Sequence, residues 1–97
     1  MADTGRSHDL KTWPEFFQAV LDGKKRFEIR RDDRGFMEGD TLVLKEWDPG
    51  LNPGLSGDLN YTGRKIRVRV TYKLHGGMFG VDLEYCVLGF EYIDTSN

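Results

Sequence analysis

Two periodicities divide the chain. Phe16, Phe17, Val20 and Leu21 recur at the spacing of one helix face. Thr12-Trp13-Pro14-Glu15 precedes them in a capping-box arrangement: a hydroxyl for the free N–H groups, a proline in the first turn and a glutamate three residues on. Gly23 supplies the stop, so a helix is expected over about residues 13–22. Beyond Gly23 the period becomes two. Phe27 and Ile29 alternate with Arg26, Glu28 and Arg30, as in a half-buried strand. Asp32-Asp33-Arg34-Gly35 and Glu38-Gly39-Asp40 read as turns, and 41–47 as a second strand. The clearest alternation runs from Lys65 to Leu74. Ile66, Val68, Val70, Tyr72 and Leu74 form one face, and Lys65, Arg67, Arg69, Thr71 and Lys73 the other. Tyr85 to Ile93 is apolar on both faces and belongs inside a sheet or barrel, and His8–Lys11 would add a short early strand.

Between these elements, residues 48–63 hold four glycines and two of the three prolines, and 75–80 is a second glycine-rich loop. Loops as long as the first carry function or move. The pattern predicts an α+β, mostly β fold: a small closed or nearly closed barrel of about five strands with one N-terminal helix packed on it. Residues 1–7 are small and polar, expected as a disordered tail, with 8–97 as one domain.

Composition narrows the function classes. The 97 residues allow one hydrophobic core, and the formal charge of −2 excludes a binder held by bulk positive charge. No apolar run approaches a membrane span and no leader-like stretch opens the chain, so a cytoplasmic monomer is expected. Cys86 is the single cysteine, and His8 and His75 are far apart, which gives no basis for a disulfide, a metal site or a cofactor. The charge is unevenly spread. Residues 24–34 carry six basic side chains against three acids, and 64–73 carry five against none. Lys65, Arg67, Arg69 and Lys73 would line one strand face at about 6.8 Å intervals. Like charges in a row repel, so that face either meets phosphates or is a solvated face partly neutralised by Glu28 or an acidic neighbouring strand; 82–97 has four acids and no base.

Gly23-Lys24-Lys25-Arg26-Phe27-Glu28-Ile29-Arg30 resembles the signature of ASCH domains in the PUA-like superfamily. With His8-Asp-Leu-Lys11, Trp13-Pro14, Asp32-Asp33-Arg34, Gly39-Asp40, Glu46-Trp47, Tyr61-Thr-Gly-Arg64 and Tyr85-Cys-Val-Leu88 it resembles a family of phage and bacterial ASCH-like proteins, over about His8 to Ile93. The resemblance implies a PUA-like barrel with a cleft between barrel and helix, and RNA or a nucleotide as partner. Its relatives include RNA-binding modules, an amidohydrolase acting on a modified cytidine and proposed ribonucleases. The amidohydrolase lysine falls on Lys25, but its threonine position is Glu28, and Glu84 is the nearest candidate for the downstream glutamate.

Two functions follow as expectations. As a binding module for RNA or single-stranded nucleic acid, the domain would use Lys24, Lys25, Arg30, Arg34, Arg64, Lys65, Arg67 and Arg69 for phosphate and base, and Tyr61 for stacking. A mobile 48–63 loop would close over the base. As a metal-independent hydrolase on a modified nucleoside or RNA, Lys25 would act as base or nucleophile, Glu28 would orient or accept a proton, and Arg30 would stabilise an oxyanion. The plainer alternative is that Glu28 pairs with Arg30 or with the 65–73 face and that His8, Cys86 and Trp47 simply pack.

Overall fold

The computed structural model describes residues 5–55 and 57–97. Of the tail expected over residues 1–7, the first four positions lie outside the described residues, and Ser7 already belongs to a strand. The elements in chain order are β1 (Ser7–Thr12), α1 (Pro14–Leu21), β2 (Phe27–Arg31), β3 (Thr41–Trp47), a short 3₁₀ turn (Gly57–Asn60), β4 (Tyr61–His75) and β5 (Tyr85–Ser96). The five strands make one curled half-barrel sheet in the order β1-β3-β4-β5-β2. Among the described residues, β1–β3 is parallel and the other three pairs are antiparallel. Leu10, Leu42, Leu44, Ile66, Val68, Val70 and Leu88 fill its concave side, and Phe17 and Val20 of α1 join them.

The helix forms where its periodicity puts it, but its start differs from the capping box. Trp13 is the N-cap and no side chain caps it. Thr12 is instead the buried last residue of β1, its hydroxyl turned toward Leu10 O at 3.4 Å. Proline at the first helical position has no N–H to satisfy, and Glu15 favours the positive end of the helix. At the far end Gly23 takes φ +74°, and Lys24 and Lys25 both donate to Ala19 O at 3.0 Å. That left-handed residue turns the chain back under α1 and delivers Lys25 to β2.

Two strands depart from simple alternation. In β4 the register shifts between Val70 and Tyr72, an irregularity that reverses which side chains face in. Tyr72, expected inside, is exposed, and Lys73, expected in the basic row, turns inward. Its Nζ reaches Asp32 at 2.8 Å and Phe36 O at 2.9 Å. In β2 the two faces are shared as expected but inverted toward the core. Phe27 and Ile29 are 43% and 55% exposed, while Glu28 is 4% exposed.

The half-barrel is open between its edge strands, β1 and β2. Thr41 N–H donates to Arg6 O, so the even residues of β1 bond β3 and the odd ones turn outward. Phe90 N–H donates to Arg26 O and Asp32 N–H to Glu84 O, so the even residues of β2 bond β5. The outward carbonyls of β1 are met by side chains. Arg30 donates to Lys11 O at 2.7 Å and Arg34 to Asp9 O at 2.8 Å. Arg6 reaches back to Gly35 O and Arg34 O at 2.9 and 2.6 Å. Arginines thus lace a seam that no main-chain ladder closes among the described residues.

Candidate functional site

At the end of the seam, where β1 runs into α1, lies a cleft of about 480 Å³. Its walls are apolar: Trp13 and Phe16 from the start of α1, Phe27 and Ile29 from β2. All four are large hydrophobic residues left substantially exposed. Phe16, which the periodicity assigns to the core stripe, turns to this cleft and leaves the core contact to Phe17 and Val20.

Its polar wall is a row of three charges. Glu28 stands in the middle, pointing inward because β2 is inverted. Lys25 Nζ donates to Glu28 Oε1 at 2.6 Å and to Phe27 O at 2.7 Å. Arg30 Nε donates to Glu28 Oε2 at 2.9 Å, while its Nη2 is held by Lys11 O across the seam. A buried carboxylate needs such partners. Both groups beside Lys25 are acceptors, so the side chain is held against β2 from two directions. The three candidate catalytic residues are therefore brought together, but as an ion-pair network facing an apolar cavity.

The other candidates are spread more widely. Lys24 is exposed at the turn after α1, and Arg34 is engaged by the seam. Arg64 makes a two-pronged pair with Glu46 (2.9 and 3.0 Å) and lies over the Phe17 ring at 4.8 Å. That guanidinium holds the Glu46 carboxyl below its ordinary value near 4.5, against burial, which pushes it up. Tyr61 lies beneath Lys45 Nζ at 4.8 Å rather than in the cleft.

Lys65, Arg67 and Arg69 point outward from β4, away from Ile66 and Val68. β4 is the middle strand of five, on the opposite side of the curled sheet from the seam. There β5 supplies carboxylates. Arg67 meets Asp94 at 3.0 and 2.6 Å, and Arg69 meets Glu91 at 3.6 Å. The hydrogen bond from Arg67 lowers the Asp94 carboxyl below its usual range. The row of bare like charges is thus cross-strand paired along part of its length.

The loop after β3 is shorter and more tied than the sequence suggests. Its end is the 3₁₀ turn, and buried Asn60 accepts from Asn52 N–H at 2.9 Å and donates to Leu55 O at 2.8 Å. Trp47 Nε1 is fixed on Gly57 O at 2.8 Å. A free lid over 48–63 is not what these bonds describe. Sequence reasoning missed Lys11, whose ammonium sits 4.3 Å over the Trp47 ring beside the cleft; its separation in sequence from the other bases hid it. His8 packs and pairs, 2.9 Å from Asp40 and edge-on to Phe36. Cys86 is buried, and burial pushes its thiol upward.

Residues 7–90 match the family described as a domain of unknown function, DUF3850. The chain belongs to the DUF3850 family. That span includes the cleft and the seam from Ser7 onward, while Arg6 and the β5 carboxylates Glu91 and Asp94 lie outside it. An uncharacterised 12.9 kDa protein in the GpA 3′ region of Escherichia phage P2 is 42% identical to this DUF3850 chain over 64 residues. The match covers 66% of this chain and 50% of that relative, so the chain spans about half the relative's length. Among the described residues, no helix of this DUF3850 domain is long and apolar enough to cross a membrane.

Proposed function

We propose that this domain binds RNA or another single-stranded nucleic acid by holding one base in the cleft between α1 and β2. The observation that carries the reading is the pairing of aromatic walls with a buried, oriented charge row. A volume of about 480 Å³ lies within the usual range for small-molecule sites. Trp13 and Phe16 offer faces on which a base can stack, worth about 1–3 kcal/mol per base, and Lys25, Glu28 and Arg30 offer its edge fixed partners. Lys11 also lines the cleft and is the cation there left for a phosphate contact, with Lys24 exposed at the nearby turn after α1. On the outer face of β4, Arg67 and Arg69 can add to them only if phosphates displace Asp94 and Glu91, whereas Lys65 is not paired with either carboxylate.

The same features support placing the chain among ASCH-type domains of the PUA-like superfamily. A glycine-ended helix hands a lysine to a strand bearing glutamate and arginine, and all three meet in a helix–barrel cleft.

The test is retention of labelled RNA and DNA oligomers at about 50 mM salt, where phosphate-dependent binding is strong. Binding that weakens steeply with salt and is lost in Trp13→Ala supports the reading. Absence of binding across a varied panel removes it.

A further inference from the structure

We infer that the cleft selects the edge of a 2,4-dioxopyrimidine, the uracil or thymine ring, over the other bases; this rests on the proposed base-binding role of the cleft. The charged wall of the cleft keeps hydrogen-bonding capacity that its own contacts do not use. Lys25 has three N–H donors, and two are committed to Glu28 Oε1 and Phe27 O. Arg30 has five, with Nε on Glu28 Oε2 and one Nη2 proton on Lys11 O. Each Glu28 oxygen has accepted one bond from this pair and keeps a further lone pair. The wall therefore reads donor, acceptor, donor: ammonium, carboxylate, guanidinium.

The complement of that order is acceptor, donor, acceptor. A 2,4-dioxopyrimidine carries it on one edge, with a carbonyl on either side of the N3–H group. Its two carbonyls would take protons from Lys25 and Arg30 while N3–H donates to Glu28. Cytosine turns the N3 lone pair toward the carboxylate and its amino group toward a cation. Adenine does the same with N1 and its own amino group. Guanine satisfies Glu28 with N1–H and one cation with O6, but then aims its 2-amino donors at the second cation. Each mismatch leaves a partly buried polar group facing its own kind, which is where discrimination comes from. The row is also held in place before any ligand arrives. Arg30 is pinned to β1 through Lys11 O, and Glu28 is clamped from both sides, so little side-chain freedom is lost on binding.

The test compares ten-nucleotide oligomers of uridine, thymidine, cytidine and adenosine by competition at fixed salt, together with an oligomer of 3-methyluridine. The methyl group replaces the N3–H donor with an apolar group on that edge and leaves the stacking face and phosphates in place. The uridine or thymidine oligomer should bind about 10- to 100-fold more tightly than the others, the scale of one well-made edge contact, and the 3-methyl form should lose that advantage. Comparison of uridine with thymidine separates an RNA from a DNA preference within the same edge chemistry. Glu28→Gln should narrow the preference, but the 3-methyl comparison needs no variant and stands if that protein fails to fold. Salt-sensitive binding of all oligomers within about threefold of one another would overturn the inference and leave the nucleic-acid reading intact. Equal binding of the 3-methyl form would do the same. Failure of every oligomer to bind would remove both.

Discussion

Glu28 is the residue on which the site turns. A carboxylate withdrawn from water costs several kcal/mol unless charge and hydrogen bonds compensate it, and here a lysine and an arginine do so from opposite sides. Glu28→Ala leaves two partly buried cations facing each other, and stability should fall by about 3 kcal/mol in urea unfolding. A loss under about 0.5 kcal/mol would mark the row as an ordinary solvated pair. Glu46 makes a different, pH-dependent contribution. Its carboxyl is held below about 4.5 by the hydrogen bond from Arg64, so the unfolded state takes up its proton first as pH falls. The contribution is therefore complete above the unfolded value and is lost as pH drops through the lower folded one. Unfolding midpoints of the parent and Glu46→Gln should differ near neutrality and converge in acid. A gap that stays constant down to the acid transition would show that Arg64 does not stabilise the charged form.

Elements, in turn, show why some features could be read from the sequence and others could not. α1 and β3 stand where periodicity places them, because one face of each meets the core and the pattern records it. Alternation in β2 shows that Glu28 and Arg30 share a face with each other but not which way that face points. The register with β5 and the cleft decide that, and they turn the charges in and leave Phe27 and Ile29 out. In β4 the irregularity near Thr71 has no compositional mark, so Tyr72 and Lys73 exchange the sides expected of them. The capping box failed for a related reason: Thr12 is claimed by β1 before α1 begins. The 75–84 connection is more constrained than its glycines suggest. A Cβ on Gly76 would lie 2.0 Å from Asp82 O and 2.4 Å from Tyr85 O, both backbone atoms. Gly76→Ala should therefore destabilise by more than about 1 kcal/mol, measured by thermal or urea unfolding, whereas Gly77→Ala meets mainly a movable Leu83 side chain but carries φ +90°. Parent-like stability in Gly76→Ala would mean that the β4–β5 connection opens more readily than its close packing suggests.

At the scale of the whole molecule, the cleft and the outer face of β4 are on opposite sides, and this separates two routes for a nucleic-acid strand. The Arg67→Gln, Arg69→Gln double variant should leave the fold intact, since both side chains point outward from the core and meet carboxylates of β5. If the cleft carries binding, affinity and salt slope should match the parent. If phosphates run along β4, the slope of log K against log salt should shrink by about 1.4 to 1.8 units for two lost contacts. The laced seam has a separate consequence. An uncovered strand edge is a template on which another copy can pair, and chains that leave one open tend to polymerise edge to edge. β2 combines such an edge with two outward apolar side chains, Phe27 and Ile29, and β1 has outward carbonyls at Asp9 and Lys11. By occupying those carbonyls and crowding the gap with guanidinium groups, Arg30 and Arg34 make both edges poor docking strips for a second molecule. Arg34→Ala should then leave the chain folded but raise light scattering with protein concentration. A variant that stays monodisperse at concentrations where the parent does would show that the arginines close the seam without guarding it.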